Sequence, residues 1–141
     1  MSSKNEDTKH TPVLLSEVLE YLAPQEGDSY LDLTAGYGGH ASSILERTLN
    51  NLNTCLVDRD QNAIDHLSKL SNLKGVQIIH QDFLQASHAL LKERKIFDLI
   101  LADLGVSSPH LDLAERGFSI QSDGPLDMRM DNRQVLTAYE I

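Results

Sequence analysis

The sequence is short of cysteine, of basic residues and of long apolar runs, and each shortage removes a class of function. A single cysteine, Cys55, stands in an apolar stretch among 141 residues, so no disulfide framework can form within one chain. Its thiol reads as a small buried hydrophobe rather than a nucleophile. No apolar run approaches the ~20 residues that a membrane helix needs. Met1 to Lys9 is polar and charged, unlike a secretory leader. A reducing cytoplasm is the expected compartment. Lys and Arg number 12 against 21 Asp and Glu, a formal charge of −9. Phosphate contacts need clustered cations, so this segment is not expected to be the main surface for a polyanion. The six histidines, His10, His40, His66, His80, His88 and His110, fall in no spacing typical of a zinc site, and no metal is expected.

What is present is a globular mixture, with 40% apolar and 23% charged residues, sized for one domain or a piece of one. Residues 1–10 read as a loose tail. Leu15, Val18, Leu19 and Leu22 recur at helical spacing within Val13–Leu22, and Pro24 and Gly27 end that helix. Ser29–Leu33 predicts a short strand. Helices are expected over Gly39–Leu49, over Gln61–Leu70 behind a capping Asp60, and through Ala89–Leu91. Strands are expected at Thr54–Val57, Val76–Ile79 and Phe97–Ala102. Near-continuous apolar strands alternating with helices indicate an α/β fold with a parallel sheet covered on both faces. Right-handed crossovers then gather the strands' C-terminal ends on one edge, where open α/β sheets bind ligands. Four features fall just past those ends: the Gly36 loop, Asp58, Asp82 and Asp103. Residues 104–133 show no sustained periodicity and read as a long, functional loop. Helical character resumes near Val135.

The first motif runs from Asp32 through Gly36, Gly38 and Gly39 to His40, straight after a strand. Glycines let such a turn pass close to a ligand, and the following helix presents free N–H groups. Gly36-x-Gly38-x-x-Ala41 also satisfies the dinucleotide fingerprint. Asp32 separates two cofactors: an acid suits the ammonium of a methionine moiety and repels a pyrophosphate. The competing reading of Asp32 is a solvated strand-end acid. Asp58, 22 residues after Gly36, can accept hydrogen bonds from ribose hydroxyls. Asp60 competes for that task but is better explained as a helix cap. Asp82 can receive an adenine amino group, and Phe83 offers an apolar surface for the ring, with a place in the core as its alternative. At Asp103 a carboxylate or carbonyl can bind an amino proton and favour attack on a methyl group, in a reaction that needs mainly positioning. Ser107-Ser-Pro-His110 is loosely similar to the Ser-Pro-Pro-aromatic motif of enzymes that methylate amino nitrogens of bases.

Five stretches together closely resemble the bacterial small-subunit ribosomal RNA (cytosine-N4)-methyltransferases of the RsmH or MraW family. They are His10–Leu15, Gly36–His40, Asp103–Pro109, Glu115–Ser119 and Asp123–Asp131. The resemblance implies a Rossmann-like class I S-adenosylmethionine-dependent methyltransferase fold, here its first four parallel strands in spatial order 3-2-1-4. It implies cytosine N4 as the target, small-subunit ribosomal RNA as the partner and S-adenosylmethionine as the cofactor. Gly38, Gly39 and His40 would contact that cofactor. Asp58 would hold the ribose, Phe83 would lie by the adenine, and Asp103 would close the site near the methyl group as the candidate catalytic residue. His110 stands where the family is expected to have a glutamine; it can still hydrogen-bond, with a charge that depends on pH. Residues 11–141 would be the N-terminal part of the methyltransferase domain. They end near the start of the family's helical insertion, which is expected to serve RNA recognition. Two other readings stay open at this point: a nicotinamide-dependent oxidoreductase, on the Gly36 fingerprint, and a non-enzymatic truncated remnant.

Overall fold

The computed structural model describes residues 12–141. The tail expected over 1–10, with His10 and Thr11 of the first family stretch, lies outside the described residues. Four strands form one sheet: β1 (Tyr30–Asp32), β2 (Thr54–Asp58), β3 (Gln77–His80) and β4 (Leu99–Leu101). They pair in parallel in the order β3-β2-β1-β4. Leu31 sits opposite Cys55 on one side and Ile100 on the other, which fixes the register at the centre. The helices are α1 (Leu15–Leu22), α2 (Gly39–Thr48), α3 (Gln61–Leu67), α4 (Phe83–Lys92) and α5 (Ser108–Asp112).

Side chains alternate across a strand, and the two faces of the sheet bury different layers. Tyr30, Leu56 and Leu99 pack with Ala41, Ile44 and Leu45 of α2 and Leu67 of α3, under Val18, Leu19 and Leu22 of α1. Leu31, Cys55 and Val57 pack with Ala86 and Leu90 of α4. Helices on both faces of a parallel sheet make the expected α/β arrangement, and Cys55 is the small core residue it was read to be. Burial pushes its thiol pKa up to about 11, which keeps it protonated and inert.

The ends of elements differ from the sequence reading. α3 stops at Leu67 because Lys69 and Leu70 turn back to the carbonyls of His66 and Leu67. β4 is confined to three residues, because Asp98 leaves the ladder to accept hydrogen bonds from the Ser29 N–H and hydroxyl. The stretch read as a structureless loop contains α5 and a 3₁₀ turn at Ala114–Arg116. Both are shorter than the two turns over which a 3.6-residue period becomes visible. The helix expected near Val135 is only a 3₁₀ turn at Ala138–Glu140, held by Glu140 accepting from the Thr137 N–H and hydroxyl.

Candidate functional site

The C-terminal edge of the sheet is organised by Asp32, at the end of β1. Its carboxylate accepts the Tyr30 hydroxyl at 2.7 Å and the Thr34 N–H at 3.0 Å. Thr34 in turn accepts the Asp103 N–H at 2.7 Å through Oγ1. The end of β4 is therefore pinned to the start of the glycine loop. Asp32 is only 1% exposed, so it is neither the solvated acid nor the presented ammonium partner that the sequence suggested. Burial, relieved in part by these hydrogen bonds, pushes its pKa up to about 6.

Gly36 and Gly38 both have positive φ, 52° and 81°, which L side chains adopt at a cost. A methyl group on Gly38 would meet Leu67 at 2.9 Å, and one on Gly39 would run into the Pro12 ring. Packing alone thus demands glycine at both positions. Both glycines stand at the start of α2. α2 begins at Gly39, and its first N–H groups have no helical partner. His40 follows, and both its ring nitrogens are buried without a hydrogen-bond partner. Its Nε2 stands 3.6 Å from Asp103 Oδ2, an ion-pair distance too long for a hydrogen bond. A buried imidazole left unsatisfied beside a carboxylate, at a helix start and a strand end, marks a place where a polar ligand would complete the bonding.

Asp58 closes the next gap. Its Oδ2 accepts the Gly36 N–H at 2.7 Å and its Oδ1 accepts the Asp60 N–H at 2.8 Å. Each oxygen keeps a second lone pair, enough for two hydroxyls. Asp82 uses Oδ1 to cap α4 through the N–H groups of Leu84 and Gln85. Phe83, the first residue of α4, is 44% exposed, so it is a ring surface at the edge and not a core residue. His110 points inward instead. Its Nδ1 accepts the Ser107 N–H at 3.1 Å, which places the ring proton on Nε2, where it is donated to Asp60 Oδ2 at 2.8 Å. Neither nitrogen is left for a cofactor in this arrangement.

Arg116 and the second task of Asp60 escaped the sequence reading. Asp60 does cap α3, through the Asn62 N–H, but its other oxygen also receives Arg116 Nη1 at 3.0 Å. Arg116 is itself buried and sends Nη2 to the carbonyls of Arg129 and Met130, each at 3.2 Å. Burial raises the Asp60 pKa, but the hydrogen bonds from His110, Arg116 and Asn62 outweigh it, and the net shift is downward. The one available signal was Arg116 itself, a cation within a family motif that needs an acid if buried. Among the described residues no group of three or more His, Cys, Asp or Glu could hold a metal ion.

A family profile described as the MraW methylase family matches residues 7–141. The chain belongs to this family. Among curated relatives, the "Ribosomal RNA small subunit methyltransferase H" of Rickettsia massiliae is 47% identical over 135 residues, covering 93% of this chain and 42% of that protein. The protein of the same name from Nitratidesulfovibrio vulgaris is 48% identical over 125 residues, covering 86% and 39%. That of Mesoplasma florum is 46% identical over 140 residues, covering 94% and 44%. The chain spans about two fifths of the length of the curated relatives it matches. Membership of the MraW methylase family implies a methyl-donor cofactor, and it removes the support the glycine fingerprint gave to a nicotinamide enzyme. No helix among the described residues is long and apolar enough to cross a membrane.

Proposed function

We propose that this chain forms the cofactor-binding part of an S-adenosylmethionine-dependent methyltransferase acting on the N4 amine of a cytosine in small-subunit ribosomal RNA. The observation that carries the reading is the His40 ring, buried and without hydrogen-bond partners, facing Asp103 over the glycine loop. In this reading Gly38, Gly39 and His40 line the methionine end of the site. Asp58 holds the ribose, already oriented by two backbone N–H groups, and the exposed Phe83 ring lies by the adenine. The bound cofactor supplies an electrophilic methyl group on a sulfonium. Asp103 is exposed, with its backbone fixed by Thr34, and accepts a proton of the cytosine amine in a hydrogen bond. That bond withdraws the nitrogen lone pair from the ring and aims it at the methyl carbon, so the residue acts by positioning and electrostatics.

The name these relatives share supports ribosomal RNA as the substrate. The net charge of −9 supports a reading in which the main RNA contact lies outside this segment. Isothermal titration of the chain with S-adenosylmethionine tests the cofactor. Methyl transfer to small ribosomal subunits by the complete gene product, with and without Asp103→Ala, tests the reaction. The substitution is expected to lower turnover more than RNA affinity. Equal losses of both would assign Asp103 to RNA docking instead.

A further inference from the structure

The reading above leaves Asp60 and Arg116 without a task, yet both are charged and buried. Burying an ion pair costs desolvation, so such pairs gain little net stability over apolar packing, while removing one partner is expensive. Their bonds connect two parts of the molecule that share no strand. On one side, the Asp60 N–H holds Asp58, and Asp58 holds Gly36. On the other, the Asp60 carboxylate holds His110 and Arg116, and Arg116 holds the carbonyls of Arg129 and Met130. The far part is itself tightly folded. Met128 donates its N–H to the Arg116 carbonyl at 3.1 Å, and a methyl group on Gly117 would strike the Pro125 carbonyl. Arg133, just beyond, reaches the carbonyl of His80 at the end of β3.

We propose that Asp60 is a positioning residue that joins the cofactor edge to the segment Ser107–Met130, so that ligand binding at Asp58 tightens that segment. The identity of the ligand rests on the reading above; the joint itself does not. Asp60 touches no substrate in this scheme. It acts through Asp58 on one side and through Arg116 on the other, and it presents the second half of the site in register with the first.

The test is amide hydrogen exchange on the whole chain, free and saturated with S-adenosylhomocysteine. The reporters are Gly117 and Met128 in the segment, with Leu33, bonded to Leu101, as the sheet reference. In the unsubstituted chain the ligand is expected to raise segment protection about tenfold, the usual scale of coupling between sites. Asp60→Asn keeps a carbonyl for the α3 cap but loses the charge opposite Arg116. Free-state protection of Gly117 and Met128 should then fall roughly a hundredfold while Leu33 is unchanged. Asp60→Asn should still bind the ligand, more weakly, with the ligand-induced increment gone. A merely structural role lowers the baseline and leaves the increment, and that result overturns the coupling. An unchanged free-state baseline overturns the joint. Arg116→Met, which alters no residue of β2 or α3, must give the same selective release, and it serves alone if Asp60→Asn fails to fold. Failure of the unsubstituted chain to bind S-adenosylhomocysteine overturns the cofactor reading and the coupling with it; the free-state comparison still decides the joint.

Discussion

His110 Nε2 lies 2.8 Å from Asp60 Oδ2, across 50 residues of sequence, with both side chains almost fully buried. Arg116 reaches the same oxygen from 56 residues away. One carboxylate oxygen thus anchors two donors from a segment that no strand attaches to the sheet. The Asp60 pKa is held below the usual carboxylate range by those donors and the Asn62 N–H, against the upward push of burial.

The sign of the pH effect follows. A lowered folded pKa means that the unfolded chain binds the proton more tightly, so Asp60 stabilises the fold fully above its unfolded pKa of about 3.9. That contribution is lost as pH falls below about 4, through the lowered folded value. Urea unfolding followed from pH 7 to pH 3 should show it, and Asp60→Asn should flatten the acid limb. At pH 7 the same substitution should cost the segment around Arg116 about 3 kcal/mol, the roughly hundredfold loss of protection expected at Gly117 and Met128, because it leaves Arg116 buried without its countercharge. A loss below about 1 kcal/mol, the scale of exposed pairs, would mean that water reaches the pair.

Asp32 should behave in the opposite sense. Burial lifts its pKa to about 6, so the folded chain holds the proton where the unfolded chain has released it. Its ionisation therefore opposes folding progressively from about pH 4 to about pH 6, by about 3 kcal/mol in total, at 1.36 kcal/mol per unit. The carboxyl carbon resonance of Asp32 should titrate with a midpoint near 6, well separated from those of exposed aspartates. A midpoint near 4 would mean that burial does not outweigh the Tyr30 and Thr34 hydrogen bonds, which act to lower the pKa.

The contrast between these two aspartates shows what a sequence makes legible. Apolar strand runs and glycine punctuation are local signals, so the βα alternation and the strand-end positions of Asp58, Asp82 and Asp103 were readable. Strand order came from the family resemblance, since parallel pairing joins distant segments and leaves no local mark. Asp32 was half legible: Tyr30 lies two residues earlier on the same strand face, and its hydroxyl is the donor found. The Asp60 cluster was not legible, because capping already accounted for Asp60 and nothing near Arg116 announces burial. α5 was missed for its length of 5 residues.

The cofactor reading makes a direct demand on Asp58. Removing its carboxylate by Asp58→Ala deletes the charged acceptor proposed for the ribose hydroxyls. The loss in S-adenosylmethionine affinity should be about 1.5–3 kcal/mol, the scale for hydrogen bonds to a charged group. Isothermal titration reads it, and circular dichroism controls for the Gly36 and Asp60 contacts that the substitution also removes. Unchanged affinity would take the ribose away from Asp58.

Among the described residues β4 pairs with β1 on one side only, and no strand meets the N–H and C=O groups on its outer side. Ile100 in the middle of β4 is 54% exposed, so the edge is apolar as well as unpaired. Such an edge templates pairing with another strand unless a charge, a proline or a covering element blunts it. β4 itself, Leu-Ile-Leu, carries none of these. The 141-residue chain is therefore expected to self-associate in a concentration-dependent way through β4. Ile100→Lys places a charge on that strand without touching the buried Leu99 or the glycine loop, and it should raise the concentration at which association begins. Sedimentation velocity over a range of concentrations measures this. Association of equal strength in both chains would move the contact elsewhere, to the exposed side chains around Val135 and Tyr139.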